Sequence, residues 1–139
     1  MDNVVIDTNV LLVSVSRKSP FHWIIRKLIN EEYTLYVTTD ILLEYEEIIE
    51  QKMGTRASEA AMGVLENLNN VVELTTYYRF SLLADEDDNK FVDCAIAANA
   101  DYLVSEHSDF NLLKQVRFPK VEVIGVESFY AKLHPDEKR

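Results

Sequence analysis

The sequence has little of several residue types that mark whole classes of protein. Its 139 residues include one cysteine, Cys94, which excludes an intrachain disulfide and fits a reducing, cytoplasmic compartment. Three glycines and three prolines are too few for a disordered or linker-rich chain. No apolar run approaches the about 18 residues of a membrane span. No basic segment precedes the first strand-like run, so we expect neither a membrane anchor nor a signal peptide.

Positive charge is also scarce, with 14 Lys and Arg against 24 Asp and Glu and a net charge of −10. This deficit argues against charge-driven binding of nucleic acid. It leaves open a nucleic-acid enzyme whose carboxylates hold metal ions, because those ions would attract the phosphates. Hydrophobic residues make up 47% of the chain, which suffices for the core of one domain of usual size.

Apolar runs and amphipathic patterns alternate along the chain. Apolar runs predict strands at residues 3–7, 33–39, 71–76, 101–105 and 120–126. Apolar positions three and four residues apart predict helices at residues 20–32, 40–53, 56–69, 89–99, 109–116 and 126–133. We expect Thr39 or Asp40 to be the N-cap of the second helix. The alternation predicts an α/β fold, with a parallel sheet covered on both faces, in a single domain over residues 1–133 and a frayed tail over 134–139.

Polar and acidic residues follow two of these strands, at the edge of the sheet where active sites of such folds lie. They also precede the helix at residues 89–99. The three groups are Asp7, Thr8 and Asn9; Asp85, Glu86, Asp87 and Asp88; and Ser105, Glu106, His107 and Asp109. Each group has a structural alternative, since such residues cap helices and acids suit helix N-termini. Carboxylates with few His and no Cys suit Mg²⁺ or Mn²⁺, and such ions promote phosphodiester hydrolysis.

Two aspartates near the start of the helix at 89–99 differ in position. Asp88 shares a helical face with Val92 and Ala95, beneath the stripe that should contact the sheet. Asp93 is about 140° away round the helix, inside the apolar run FVDCAIAA. A buried carboxylate is costly there unless a cation or a donor neutralises it. We therefore expect Asp93 to face a cation-filled pocket, with partial exposure as the alternative, and Cys94 to fill the core.

On the helix at 40–53, Glu44 and Glu46 stand at the two edges of the apolar arc, and periodicity does not choose between them.

Four dispersed motifs over about residues 3–126 resemble PIN-domain nucleases, in particular VapC-like toxins of prokaryotic toxin–antitoxin systems. VVIDTNVLL resembles the opening strand with its aspartate, here Asp7. VTTDILLEYEEII resembles the second strand and helix, whose glutamate would be Glu44.

The stretches DEDDNKFVDCAIAANADYLVS and SEHSD resemble the third and fourth motifs of the family. The aspartate of the third motif aligns with Asp88, and Asp93 is a second acid in the same helix. Aligning that aspartate with Asp93 instead would require a deletion of about one helical turn before the next strand. The fourth motif usually reads Ser or Thr, any residue, Asp, any residue, Asp or His. Here His107 stands where the family has its first aspartate, and Asp109 follows two residues later.

The resemblance implies a three-layer α/β/α sandwich with a central, mostly parallel sheet and a Mg²⁺- or Mn²⁺-dependent endoribonuclease. It also implies a homodimer and an antitoxin protein that plugs the acidic site. One ion would be held by Asp7, Glu44 and Asp88. A second, weaker site would use Asp93 with Asp109 or His107, whose imidazole suits Mn²⁺ better than Mg²⁺. Ligands and water would be oriented by Thr8, Asn9 and Ser105.

The departure at His107 favours a second interpretation, a PIN-like module with weakened chemistry that binds RNA or a protein partner. A third interpretation is another α/β domain with an acidic pocket. A haloacid-type phosphatase would carry a second aspartate two residues after Asp7, where this chain has Asn9. A phosphoacceptor receiver would carry a lysine near the end of its last strand, whereas Lys120 begins that strand here.

Overall fold

A computed structural model describes residues 1–135, so residues 136–139 of the predicted frayed tail lie outside the described residues. The strands are β1 (Asp2–Ile6), β2 (Tyr33–Val37), β3 (Val71–Glu73), β4 (Tyr102–Val104) and β5 (Val123–Ile124). The helices are α1 (Thr8–Val15), α2 (Trp23–Ile29), α3 (Thr39–Met53), α4 (Thr55–Asn67), α5 (Glu86–Ala98) and α6 (Val126–Leu133), with a 3₁₀ helix at Ser108–Gln115. None of the helices within residues 1–135 has the length and apolar character that crossing a membrane requires.

The strands form one sheet in the order β3-β2-β1-β4-β5, and every neighbouring pair is parallel. The predicted α/β fold is confirmed, and the sheet of the described chain is parallel throughout. The strand order reverses between β1 and β4. Ligands of open parallel sheets bind beyond the carboxyl ends of the strands at such a reversal, so a ligand site is expected among the residues after β1 and β4.

The central strands are apolar because helices cover the sheet. Val4, Val5 and Ile6 of β1 have no exposed surface. Tyr45 of α3 is fully buried, and its hydroxyl donates a hydrogen bond to the backbone oxygen of Ile6. This bond satisfies a buried hydroxyl and ties α3 to the last residue of β1, directly before Asp7. The elements around the strand end are therefore fixed relative to one another.

Several boundaries differ from the sequence prediction. Thr38 caps α3 in place of Thr39 or Asp40, because its hydroxyl accepts a hydrogen bond from the backbone N of Ile41 at 3.2 Å. Helix α5 begins at Glu86, since Asp85 caps it by accepting a hydrogen bond from the backbone N of Asp87 at 2.9 Å. The predicted helix at 109–116 is a 3₁₀ helix, and the predicted strands at 71–76 and 120–126 keep only the short pairings of β3 and β5.

Helix α1 was not predicted as an element. Its sequence, TNVLLVSV, is apolar on most sides and gives no helical period. Cys94 is fully buried, as expected for a core residue, and burial raises the pKa of its thiol to about 12. A thiol in that environment is inert as a nucleophile, which leaves Cys94 without a chemical role.

Candidate metal centre at the ends of β1 and β4

Asp7 directly follows β1, and its carboxylate is held from two sides. Oδ1 accepts a hydrogen bond from the backbone N of Val10 at 2.9 Å, which makes Asp7 the N-cap of α1. Oδ2 accepts a hydrogen bond from the Ser105 hydroxyl, and this hydroxyl accepts one from the backbone N of His107 at 3.0 Å. Asp7 is 5% exposed, and burial raises its pKa although both hydrogen bonds oppose the rise. The hydrogen bonds fix the carboxylate in place, but they do not fully offset the cost of burying its charge.

Asp88 reaches the same pocket from the first turn of α5. Its Oδ2 is buried and accepts no hydrogen bond from any residue within 1–135. Burial, followed by the charge of Asp85, raises the pKa of Asp88. Most buried polar atoms have a hydrogen-bond partner, so an orphaned carboxylate oxygen is a position where a bound cation would offset the cost of burial.

His107 and Asp109 follow β4 and lie next to Asp88. One ligand atom from each of these three residues lies within 4.8 Å of the other two. His107 caps the 3₁₀ helix, because Nδ1 accepts a hydrogen bond from the backbone N of Asp109 at 3.2 Å. Asp109 Oδ2 is 3.6 Å from the same nitrogen. The residue that departs from the family pattern therefore lies among the acids of the pocket.

Glu44 projects from α3 into the pocket, and both of its oxygens are engaged. Oε2 accepts a hydrogen bond from the Thr8 hydroxyl, and Oε1 is 2.6 Å from the Lys90 ammonium. Sequence reasoning missed Lys90, because its pairing with Glu44 joins two helices that are distant in the chain. The pocket as a whole is lined by Asp7, Thr8, Asn9, Glu44, Ile48, Asp88, Phe91 and His107.

Asp93 lines a wider neighbouring cleft together with Glu44 and Lys90. It is 7% exposed, so the alternative of partial exposure is wrong, and its Oδ1 accepts a hydrogen bond from the backbone N of Phe80 at 3.1 Å. Burial raises its pKa, which the Phe80 bond and the charge of Arg79 oppose. A backbone donor thus explains the carboxylate in an apolar helix, and the second ion site at Asp93 stays a prediction.

Besides Asp7, which caps α1, two other acids at strand and helix ends accept hydrogen bonds from backbone N atoms at the starts of helices. Asp85 caps α5. Glu106, between Ser105 and His107, accepts a hydrogen bond from the backbone N of Val126 at the start of α6. These contacts use the carboxylates locally, and neither acid lines the pocket of Asp7 and Asp88.

The donor set of the pocket fits a hard divalent cation. Two carboxylates and an imidazole, from Asp88, Asp109 and His107, lie within 4.8 Å of one another, and Asp7 lines the same pocket as Asp88 and His107. Oxygen ligands suit Mg²⁺ and Mn²⁺, and one imidazole among them favours Mn²⁺. The buried oxygen of Asp88 is the position where such an ion would offset the cost of burial.

Comparison with known proteins places the fold. Residues 3–109 match the profile of the family described as PIN domain, and no curated protein sequence matches the chain. The chain is similar to a chain in the crystal structure of VapBC2 from Rickettsia felis bound to a promoter DNA fragment. The TM-score is 0.63, and the sequence identity is 14% over 88% of this chain and 98% of that chain. It is also similar to DNA-bound VapBC from Salmonella typhimurium, with a TM-score of 0.57 and 14% identity over 91% and 99%.

Proposed function

The chain belongs to the PIN domain family, and from that premise we propose that it is a metal-dependent nuclease that hydrolyses RNA phosphodiester bonds. One observation carries the proposal. Asp7, fixed and buried, and Asp88, with an orphaned buried oxygen, line one pocket beside the reversal of strand order. Two such carboxylates, with His107 and Asp109 beside Asp88, form a site for a divalent ion.

Each neighbouring residue has a role in this proposal. A divalent ion bound here would neutralise phosphate charge and lower the pKa of a water molecule. Ser105 orients the Asp7 carboxylate through its hydroxyl, and the backbone N of His107 holds that hydroxyl. Thr8 holds Glu44, and Asn9 is exposed in the pocket, where its amide is available to substrate or water. The assignment of Glu44 as an ion ligand stays a prediction.

We also propose that the chain is the toxin component of a toxin–antitoxin pair and acts in the cytoplasm. Two of the solved structures to which it is similar are VapBC assemblies. A net charge of −10 suits a partner that presents basic residues. An antitoxin segment with such residues would enter the acidic pocket, and the homodimer implied by the family stays a prediction.

The second candidate function is a PIN-like module that binds RNA or protein and has lost its chemistry. The observation that favours it is His107, which occupies the position of a family aspartate within the pocket. The two functions differ in one measurable respect. Only the nuclease converts RNA to shorter products, and only with a divalent ion.

The test is cleavage of an RNA pool of mixed sequence in Mn²⁺, in Mg²⁺ and in EDTA. We expect cleavage by the wild type with Mn²⁺, none in EDTA, and a loss of about a hundredfold or more in Asp7→Asn and Asp88→Asn. Glu59→Gln is the matched control, because it removes an exposed carboxylate of α4. A folded wild type that leaves the RNA intact in both ions would contradict the nuclease and favour the binding module.

A further inference from the structure

Lys90 lines the wider cleft and places a positive charge on Glu44, which lines both that cleft and the acidic pocket, and the proposed function gives Lys90 no role. Its Nζ is 2.6 Å from Glu44 Oε1 and 3.9 Å from Asp87 Oδ1. The side chains of Lys90 and Glu44 are 20% and 22% exposed, so water and salt screen this pair less than an exposed one. Lys90 comes from α5, two residues after Asp88, and Glu44 comes from α3.

Glu44 and Asp88 differ in how the chain compensates their charge. Glu44 has the Thr8 hydroxyl on one oxygen and the Lys90 ammonium on the other. Asp88 has a buried oxygen that takes no hydrogen bond from the described residues. Within residues 1–135, the Lys90 ammonium lies on Glu44, whereas no lysine or arginine forms an ion pair with Asp88.

We propose that Lys90 is a built-in substitute for a second divalent ion at Glu44, so that the site holds a single divalent ion on the side of Asp7 and Asp88. The inference rests on the proposed function, since it requires a cation-binding pocket. An ammonium on Glu44 occupies that oxygen and repels a second cation. Glu44 is then a positioning residue for Thr8 and Lys90, which departs from its role as an ion ligand in the family.

The test is calorimetric titration of Mn²⁺ into ion-stripped protein, with the number of ions bound per chain as the readout. We expect one ion for the wild type and for Lys90→Arg, which keeps the charge. In Lys90→Met the uncompensated Glu44 should bind a second Mn²⁺, or the first ion should bind at least about tenfold more tightly. Lys27→Met is the matched control, because it removes an ammonium from the Lys27–Glu32 ion pair, away from the pocket, and should behave as wild type.

A second variant keeps the test decisive if Lys90→Met folds poorly. Glu44→Gln/Lys90→Met removes both charges together and leaves Asp7 and Asp88 unchanged. We expect this double variant to bind one Mn²⁺ with an affinity close to that of the wild type. Loss of Mn²⁺ binding by the folded double variant would show that Glu44 ligates the ion, and would overturn the inference.

The outcomes separate this inference from the proposed function. If wild type and Lys90→Met bind the same number of ions with the same affinity while the wild type cleaves RNA, the inference is wrong and the nuclease stands. If neither protein binds Mn²⁺, there is no ion for Lys90 to replace, and both are wrong. If Lys90→Met alone binds Mn²⁺, the wild type holds no ion, which contradicts the single-ion site and overturns the inference.

Discussion

Asp7 and Asp88 are both aspartates whose pKa is raised by burial, and they differ in what surrounds them. Asp7 accepts hydrogen bonds from a backbone N and from a serine hydroxyl, whereas Asp88 has an orphaned oxygen. An ionised carboxylate that is buried without a donor costs free energy of folding. Asp88 is therefore a position where function and stability oppose each other.

Asp88→Asn should unfold at a temperature about 2–4 °C higher than the wild type at pH 7 without added metal. The raised pKa means that protonated Asp88 stabilises the fold at low pH, and that this contribution is lost as the pH rises through the folded-state pKa. The amide does not ionise, so its advantage should be present at pH 7 and shrink as the pH falls toward about 4. Thermal unfolding followed by circular dichroism measures it.

Glu59→Gln, which removes an exposed charge, should change the unfolding temperature little at either pH. A lower unfolding temperature for Asp88→Asn than for wild type at pH 7 would show that the Asp88 carboxylate stabilises the metal-free fold, contrary to its orphaned position.

His107 should set the preference among metal ions. Imidazole favours Mn²⁺ over Mg²⁺ more than a carboxylate does, so His107→Asp should narrow the ratio of Mg²⁺ to Mn²⁺ dissociation constants by about fivefold or more. Titration calorimetry with each ion measures the ratio. An unchanged ratio would place His107 outside the coordination sphere.

At the scale of the element, side chains of α5 hold the segment that leads into it. Asn89 is 4% exposed, and it accepts a hydrogen bond from the backbone N of Leu83 and donates one to the backbone O of Leu83, both at 2.9 Å. Asp93 accepts a hydrogen bond from the backbone N of Phe80 in the same segment. These contacts fix the start of α5, and with it the position of Asp88.

Asn89→Ala should lower the free energy of unfolding by about 2–4 kcal/mol, because it leaves two buried backbone groups without partners. Urea denaturation measures the change. Asn67→Ala is the matched control: Asn67 is exposed and donates one hydrogen bond to the backbone O of Gly63, so its loss should cost less than about 0.5 kcal/mol. Equal effects in the two variants would contradict this role of Asn89.

The elements show which structural features the sequence predicts and which it does not. Strand β1 was predictable because a buried parallel strand is a continuous apolar run. The cap at Thr38 was missed because Thr38, Thr39 and Asp40 are all good caps, and only backbone geometry chooses among them. The Lys90–Glu44 pair and the Phe80–Asp93 bond join residues through tertiary structure, which periodicity does not encode.

At the scale of the whole molecule, the order of elements predicts the parallel sheet and the edge where the site lies. Asp7 directly follows β1 and Ser105 directly follows β4. These two strands are parallel neighbours in the sheet, so the two side chains lie together at its carboxyl edge. The separation of Asp93 from Asp88 was less predictable. Both lie on α5, and helical geometry gives the angle between them but not which cleft each one faces.

The net charge of −10 makes RNA binding dependent on the ion. Without a divalent ion, RNA should bind weakly, since the pocket and the molecule repel phosphate. With Ca²⁺ in place of the catalytic ion, the affinity should rise about tenfold or more in the wild type and little in Asp88→Asn. Fluorescence anisotropy of a labelled single-stranded RNA measures both. Equal affinity with and without the ion would contradict an ion-mediated site.

The central claim is that one divalent ion lies between the strand ends, held by Asp7 and Asp88. Crystals soaked in Mn²⁺ and measured at an anomalous wavelength test it most directly, because manganese scatters anomalously and the protein atoms contribute little there. We predict one anomalous peak per chain, in contact with the Asp7 and Asp88 carboxylates, with Lys90 still on Glu44. A peak only in the wider cleft at Asp93, or no peak in the pocket, would contradict the account.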